Sequence, residues 1–216
     1  MTLWKERTVR LPTLQGCLLL AALLLGTGYL LLRSLHPFFA VTDRRPAPHL
    51  VVEGWGADFL MEQAANEATN GGYQHIFVTG GPMQRSADLP GYDSFAEVGY
   101  GALKRLGVPP QQLTAVPSWE RYRNRTYSAA VALREFARTN GIELKVVNVL
   151  TLDVHSRRSR LAFQRALGRE VEVGVIAVEP REYEPKRWWG YSEGVKSMIS
   201  ELIALPYAWL SLDYGN

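Results

Sequence analysis

The sequence predicts an α/β domain with a mostly parallel sheet, preceded by one N-terminal transmembrane helix. Two observations predict it. Residues 16–32 (GCLLLAALLLGTGYLLL) form a leucine-rich run without a charge. Beyond residue 48, short apolar runs alternate with segments of helical periodicity, joined by short loops. That alternation is how a chain lays strands parallel and returns over both sheet faces through helices.

The apolar run covers roughly 25 Å at a helical rise of about 1.5 Å per residue. A bilayer core is about 30 Å thick, so the run must recruit neighbours such as 33–35, with Arg10 and Arg33 snorkelling to the headgroups. Lys5, Arg7 and Arg10 precede it, as in the leader of a secretory signal. A cleavage site of small residues is poor here, because Phe38, Phe39 and Ala40 stand before Val41. The segment is therefore read as an uncleaved signal-anchor over 16–35, after a basic leader over 1–15, in preference to a removed signal peptide. Arg33, Arg44 and Arg45 nearly balance the leader's charges, and a short basic leader favours the cytoplasmic side, which puts Asn216 outside the cytoplasm.

Residues 36–48 read as a linker, with Pro37, Pro46 and Pro48 and the triplet Asp43-Arg44-Arg45. The domain follows over 49–216. HLVVE at 49–53 is a buried strand closed by Gly54. Residues 57–70 have helical spacing in Leu60, Ala64, Ala65 and Ala68, with Gly71-Gly72 as the stop. HIFVT at 75–79 is a second strand, closed by Gly80-Gly81, and 82–92 is a loop. A helix over 94–106 stops at Gly107, and 113–116 is a weak strand. A helix over 125–139 carries Ala129, Leu133 and Phe136 on one face. LKVVNVLT at 144–151 is the strongest strand, followed by a helix over 155–167 and a strand over 171–178. The last helix, 193–210, carries Val195, Ile199, Leu202 and Leu205 at helical spacing, with Pro206 bending or breaking it.

Composition excludes several functions. The net charge is only +3, and no basic stripe with interleaved stacking aromatics marks a nucleic-acid surface. The single cysteine, Cys17, lies in the apolar run, so a disulfide or cysteine metal site within the chain has no partner residues. No HExxH or similarly tight ligand cluster points to a metal. There is no GK[ST] phosphate loop and no GxGxxG dinucleotide fingerprint.

In an open parallel sheet, ligands bind outside the carboxyl ends of the strands. Those ends are Glu53-Gly54-Trp55-Gly56, Thr79-Gly80-Gly81 and Thr151-Leu152-Asp153-Val154-His155. Paired glycines let backbone amides converge on an anion, or simply shape tight turns. His155 and Arg158, three apart, share one side of a first helical turn. Cations there oppose the helix dipole, which makes sense if an anion occupies the site. Arg157, Arg160 and Arg165 read as a solvated face. Ser94-x-x-Glu97 is a capping box. Asp153 would orient His155 or cap its helix. His75 reads as structural, and His36 as part of the linker.

The ordered set of these motifs resembles the YdcF/SanA/ElyC family of bacterial envelope proteins (domain of unknown function 218). The matching elements are the Thr79-Gly80-Gly81 turn, Glu97 in the next helix, Gly107-Val108-Pro109, Arg125-Thr126 after Asn124, and Thr151-x-x-x-His155-x-x-Arg158. They run over about residues 50–205. Tyr127 and Ser128 stand where the family has Glu and Asn, and the arginine common in the first helix is missing from Met61-Glu62-Gln63. The resemblance implies a Rossmann-like three-layer fold behind one transmembrane helix, and a role in peptidoglycan, lipid-carrier or cell-envelope metabolism. It also admits S-adenosylmethionine as a ligand; otherwise no cofactor is expected.

Three functions follow as expectations. The first is a membrane-anchored protein that binds an anionic, phosphorylated ligand, either a lipid-linked phosphate or a cell-wall intermediate. In a phosphate-ester or pyrophosphate hydrolase or transferase of this kind, His155 would be the general acid/base, with Glu97 and Asp153 as catalytic partners. Gly54, Gly80, Gly81, Thr126, Thr151 and Arg158 would hold the ligand. The second is a nucleotide or S-adenosylmethionine module or methyltransferase, which wants an acid for the ribose where Thr79 stands. The third is a non-enzymatic envelope scaffold, favoured by Tyr127 and Ser128.

Overall fold

A computed structural model of the chain describes residues 11–83 and 91–212. Lys5, Arg7, Arg10, most of the 82–92 loop and the last four residues lie outside the described residues. The chain divides into two compact units between Leu35 and His36.

The first unit is the body of helix α1, Leu14–Phe39. It is long and apolar enough to cross a membrane. At about 1.5 Å per residue its 26 residues span about 39 Å, so the helix extends past the apolar run on both sides. Its leucines, Leu18, Leu24 and Leu30 among them, are exposed.

The second unit is the α/β domain. Its strands are β1 His49–Glu53, β2 His75–Gly80, β3 Leu113–Pro117, β4 Val146–Leu152 and β5 Glu172–Val178. All neighbours pair in parallel, in the order β3-β2-β1-β4-β5. Helices α2 Asp58–Asn70, α3 Phe95–Arg105, α4 Arg125–Thr139, α5 Ser156–Leu167 and α6 Ser192–Ser211 complete it.

The two-residue period of a strand builds two cores at once. Leu50 and Val52 of β1, with Ile76 and Val78 of β2, pack under Leu60 of α2 and Leu103 of α3. Val51, Phe77, Val147 and Val149 face the other way, under Leu133 of α4 and Phe163 of α5. The interior residues of β1, β2 and β4 are thus buried on one face or the other, which is why these runs are apolar without alternation.

The order runs outward in one direction through β1, β2 and β3 and in the other through β4 and β5. The direction of winding therefore reverses between β1 and β4, and a crevice opens there at the carboxyl edge. Glu53 ends β1 and Asp153 follows β4 at that point.

The segment read as a linker is fastened to the domain. Val41 N–H donates to Ser156 Oγ at 2.7 Å, and Asp43 forms an antiparallel bridge with Val175. Asn148, buried in β4, accepts from Arg45 N–H at 2.9 Å and donates to its carbonyl at 2.8 Å. The arginines read as solvated contribute to this. Arg157 donates to the Phe38 carbonyl and lies 4.2 Å from its ring centroid, while Arg160 donates to the Val173 carbonyl at 3.0 Å and pairs with Asp43 at 2.9 Å. Arg165 donates to the Leu212 carbonyl at the end of α6.

Helix α6 turns the middle of its apolar row outward, with Val195 and Leu205 half-buried. Ile199 and Leu202 are 51% and 43% exposed, while Met198, Glu201 and Ala208 are buried. The face that meets the domain is therefore the one carrying a glutamate.

Candidate functional site

A cavity of 870 Å³ occupies the carboxyl-edge crevice. It is framed by Glu53 and Trp55 at the end of β1, Thr79 to Gly81 at the end of β2, and Arg125 and Thr126 opening α4. Asp153, His155 and Arg158 close another side, and Glu201 and Tyr207 of α6 roof it. Of the residues singled out in the sequence, Gly80, Gly81, Thr126, Asp153, His155 and Arg158 meet here.

Gly54, Glu97 and Thr151 do not line it, for three different reasons. A Cβ on Gly54 would stand 2.3 Å from the Phe95 carbonyl oxygen, so this glycine exists to let α3 approach the sheet. Glu97 completes the capping box: its Oε2 accepts from Ser94 N–H at 3.0 Å and Asp93 N–H at 2.7 Å. Thr151 is fully buried within β4. Gly80 belongs partly with Gly54, since a Cβ there would lie 2.7 Å from the Ala96 amide. Gly81 is the more open of the pair, with the Glu120 carbonyl at 3.1 Å.

His155 is held from both sides. Its Nδ1 lies 2.9 Å from Glu201 Oε1 and 2.7 Å from Arg158 Nη2. Protonated, Nδ1 donates to the carboxylate; deprotonated, it accepts from the guanidinium. The other ring nitrogen, Nε2, faces Thr126 Oγ1 at 3.4 Å and Glu53 Oε2 at 3.8 Å. Trp55 meets the ring edge-on, centroids 5.1 Å apart. With Nδ1–H given to Glu201, Nε2 carries the free lone pair, which is the arrangement of a general base oriented by a carboxylate.

Arg158 is not a free cation. It grips Glu201 in a bidentate pair, Nε to Oε2 and Nη2 to Oε1, both at 2.8 Å. Burial alone would push the Glu201 carboxyl up. The hydrogen bonds and charges of Arg158 and His155 more than offset it and hold the group at about 2. Glu53, also buried, accepts from Ser159 Oγ at 2.6 Å.

Asp153 neither caps α5 nor bonds His155. Its Oδ1 lies 2.9 Å from His36 Nε2, and its Oδ2 accepts from the Tyr183 hydroxyl. Burial first, then the Asp153 hydrogen bond, pushes the Tyr183 hydroxyl well above its ordinary value, so it stays a donor. Asp153 has φ +39° and Asn124, at the start of α4, φ +45°. Both sit in the left-handed region that few non-glycine residues adopt, and both border the cavity.

The three buried carboxylates of the crevice, Glu53, Asp153 and Glu201, thus each have a partner. Facing the same space are Nε2 of His155, the hydroxyl of Thr126 and the first turn of α4, which has no side-chain cap on its amides, together with Arg125, Lys196, Glu182 and Glu193. Thr79 adds a buried hydroxyl with no partner among the described residues. This is a donor-rich pocket with a helix N-terminus at one wall, a setting that suits an anion.

The chain matches no known protein-family profile, and no curated protein matches it.

Sequence reasoning missed Glu53, Glu201, Tyr183 and His36. Glu53 had a readable signal: a carboxylate closing an apolar run on a central strand. Glu201 was hidden because the apolar row of its helix draws attention to the opposite face. His36 and Tyr183 reach Asp153 from far away in sequence, and nothing local marks them.

Proposed function

We propose that this chain is a membrane-anchored α/β protein of the bacterial cell envelope whose carboxyl-edge cavity binds a phosphorylated anion. A lipid-linked phosphate or a cell-wall intermediate of peptidoglycan biogenesis fits that role. α1 acts as a single-pass anchor, with the domain on the extracytoplasmic side. The observation that carries the reading is the cavity itself. At the winding reversal of the sheet, the uncapped first turn of α4, the Thr79 hydroxyl, which has no partner among the described residues, and the Gly81 turn line one cavity with His155.

In a hydrolase or transferase of this kind, His155 Nε2 takes the proton of an attacking water or hydroxyl, and Glu201 steadies the imidazolium that forms. The α4 amides, Thr126 and Thr79 stabilise phosphate charge. Arg158 serves this chemistry indirectly, by fixing Glu201. Arg125, exposed at the cavity wall and in no ion pair among the described residues, is a cation that can meet the ligand.

The test is a thermal-shift series on the full-length protein with inorganic phosphate, pyrophosphate, an isoprenyl phosphate and S-adenosylmethionine. A ligand at about 100 times its Kd stabilises the native state by about 2.7 kcal/mol. Stabilisation by the phosphates is the expected result. A shift with S-adenosylmethionine alone would replace this reading, and no shift with any of them would favour a scaffold.

A further inference from the structure

The outer face of α6 belongs to no core. Ile199, Leu202, Ile203, Trp209 and Leu210 lie on one stripe at helical spacing, 43% to 77% exposed. The opposite side of the same helix roofs the cavity through Glu201, Ala204 and Ala208. An exposed stripe of this size marks a surface that meets something apolar.

A second feature stands at the rim of the same cavity. The segment Trp119-Glu120-Arg121-Tyr122-Arg123-Asn124-Arg125 carries Trp119 and Tyr122 at 84% and 89% exposure. Arg121, Arg123 and Arg125 are exposed and have no ion-pair partner among the described residues. Glu120 shapes the loop by accepting from the amides of Tyr122 and Arg123 at 2.9 and 3.1 Å, so its charge is turned back onto the backbone. Tyr122 and Tyr207 both line the cavity, so loop and helix border the same space.

Chain connectivity adds a third. Only Arg33, Ser34 and Leu35 separate the apolar run from His36, and His36 is bonded to Asp153 at this same carboxyl edge.

We infer that the α6 stripe and the 119–125 loop form a docking surface for a bilayer with anionic headgroups. The stripe enters the acyl boundary, Trp209, Trp119 and Tyr122 sit at the headgroup level, and Arg121 and Arg123 pair with lipid phosphates. The charge decides for lipid over a second copy of this chain: a second copy would set the arginine loop against an identical cationic loop or leave it unmatched. The cavity would then open beside the membrane. This surface does not depend on what occupies the cavity.

The test uses the full-length chain in lipid nanodiscs, with Cys17→Ser removing the native thiol. Nitroxide labels are placed singly through Ile203→Cys, Leu210→Cys and, as an aqueous control, the exposed Lys145→Cys. Collision with oxygen and with a water-soluble nickel complex reports depth. In discs of phosphatidylcholine with phosphatidylglycerol, the labels at 203 and 210 should be several-fold more oxygen-accessible, relative to nickel, than the label at 145. Arg121→Glu with Arg123→Glu should reduce that ratio, and so should discs of phosphatidylcholine alone. Equal nickel access at all three positions would overturn the inference. So would spin–spin broadening at 203 without oxygen access, which would mark a dimer face.

Discussion

Glu201 reaches across from the last helix to hold His155, its Oε1 2.9 Å from Nδ1, while Arg158 binds both of its oxygens. His155 just before α5, Arg158 within it and Glu201 of α6 therefore act as one unit, and this charged contact docks α6 together with its buried Met198 and Ala208.

Removing one partner should show this. Breaking a buried ion pair typically costs about 3–5 kcal/mol, because the charge left behind stays desolvated. Arg158 retains some solvent access, so Glu201→Ala should cost about 3 kcal/mol, near the low end of that range. Arg158→Met combined with Glu201→Leu should recover most of the loss, since neither charge is then orphaned. Denaturant unfolding of the three proteins checks it. A double variant as unstable as the single would mean that the pair itself, and not the orphaned charge, sets the cost.

The same carboxylate sets an acid limb. Its folded value of about 2 lies below its ordinary 4.5, so its stabilisation is complete above about pH 4.5 and is lost as pH falls towards 2. His49 and His75 act earlier and with the same sign. Burial lowers both below 6.5, so protonation favours the unfolded chain as pH falls below that value. Stability followed from neutral pH downward should decline in two phases. Glu201→Ala should remove the lower phase and leave the upper one.

Gly54 separates packing from ligand binding. Gly54→Ala puts a methyl against the Phe95 carbonyl, where backbone must move. Overpacking of this kind costs about 1–3 kcal/mol and sometimes more. Gly81→Ala, with only a 3.1 Å approach to the Glu120 carbonyl, should cost under about 1 kcal/mol but disturb the cavity wall. Thermal melts and phosphate titrations of both variants distinguish the two roles. A Gly54 variant of normal stability and weakened phosphate binding would restore the ligand role to that glycine.

Much of the fold was legible because strands buried on both faces leave apolar runs that turns cut cleanly. β1 ends at Glu53 and α4 spans residues 125–139, as the runs and stop signals indicate. The site was legible only at chain turns. Gly80, Gly81, Thr126 and His155 stand where a parallel sheet must present them. Glu97 was legible as a cap, and the capping box holds it outside the cavity. The linker was illegible: prolines and charges suggest a free tether, but Asp43 and Arg45 bond to β5 and β4 through backbone groups that composition does not show. The facing of α6 was illegible too, because an apolar row looks the same whether it meets a core or is left open.

Anchoring is testable apart from everything else. The run at 16–32 carries no charge, and the helix built on it is exposed along its leucines. Full-length protein in bacterial membranes should stay in the pellet through alkaline carbonate extraction. Replacing Leu24 and Leu25 by Asp should release it, because each Asp at a helix centre costs about 2.5–3.5 kcal/mol of insertion. Release of the unaltered chain by carbonate would show that α1 does not span the membrane.

Thr79 offers a test in which stability and binding move in opposite directions. Its hydroxyl is 1% exposed, has no partner among the described residues, and borders the cavity. A buried hydroxyl without a partner carries a desolvation penalty of about 1–3 kcal/mol. Thr79→Val keeps the shape and removes that penalty, so the ligand-free protein should be as stable as the parent or more so. If the hydroxyl exists to meet a phosphate oxygen, the same change deletes one hydrogen bond of about 0.5–1.5 kcal/mol, or about 2- to 12-fold in affinity. Melting without ligand and titration with phosphate, on the same preparations, read both effects. Thr79→Ser keeps the hydroxyl and should retain affinity. A valine variant that gains stability and binds phosphate as the parent does would place the ligand elsewhere in the crevice.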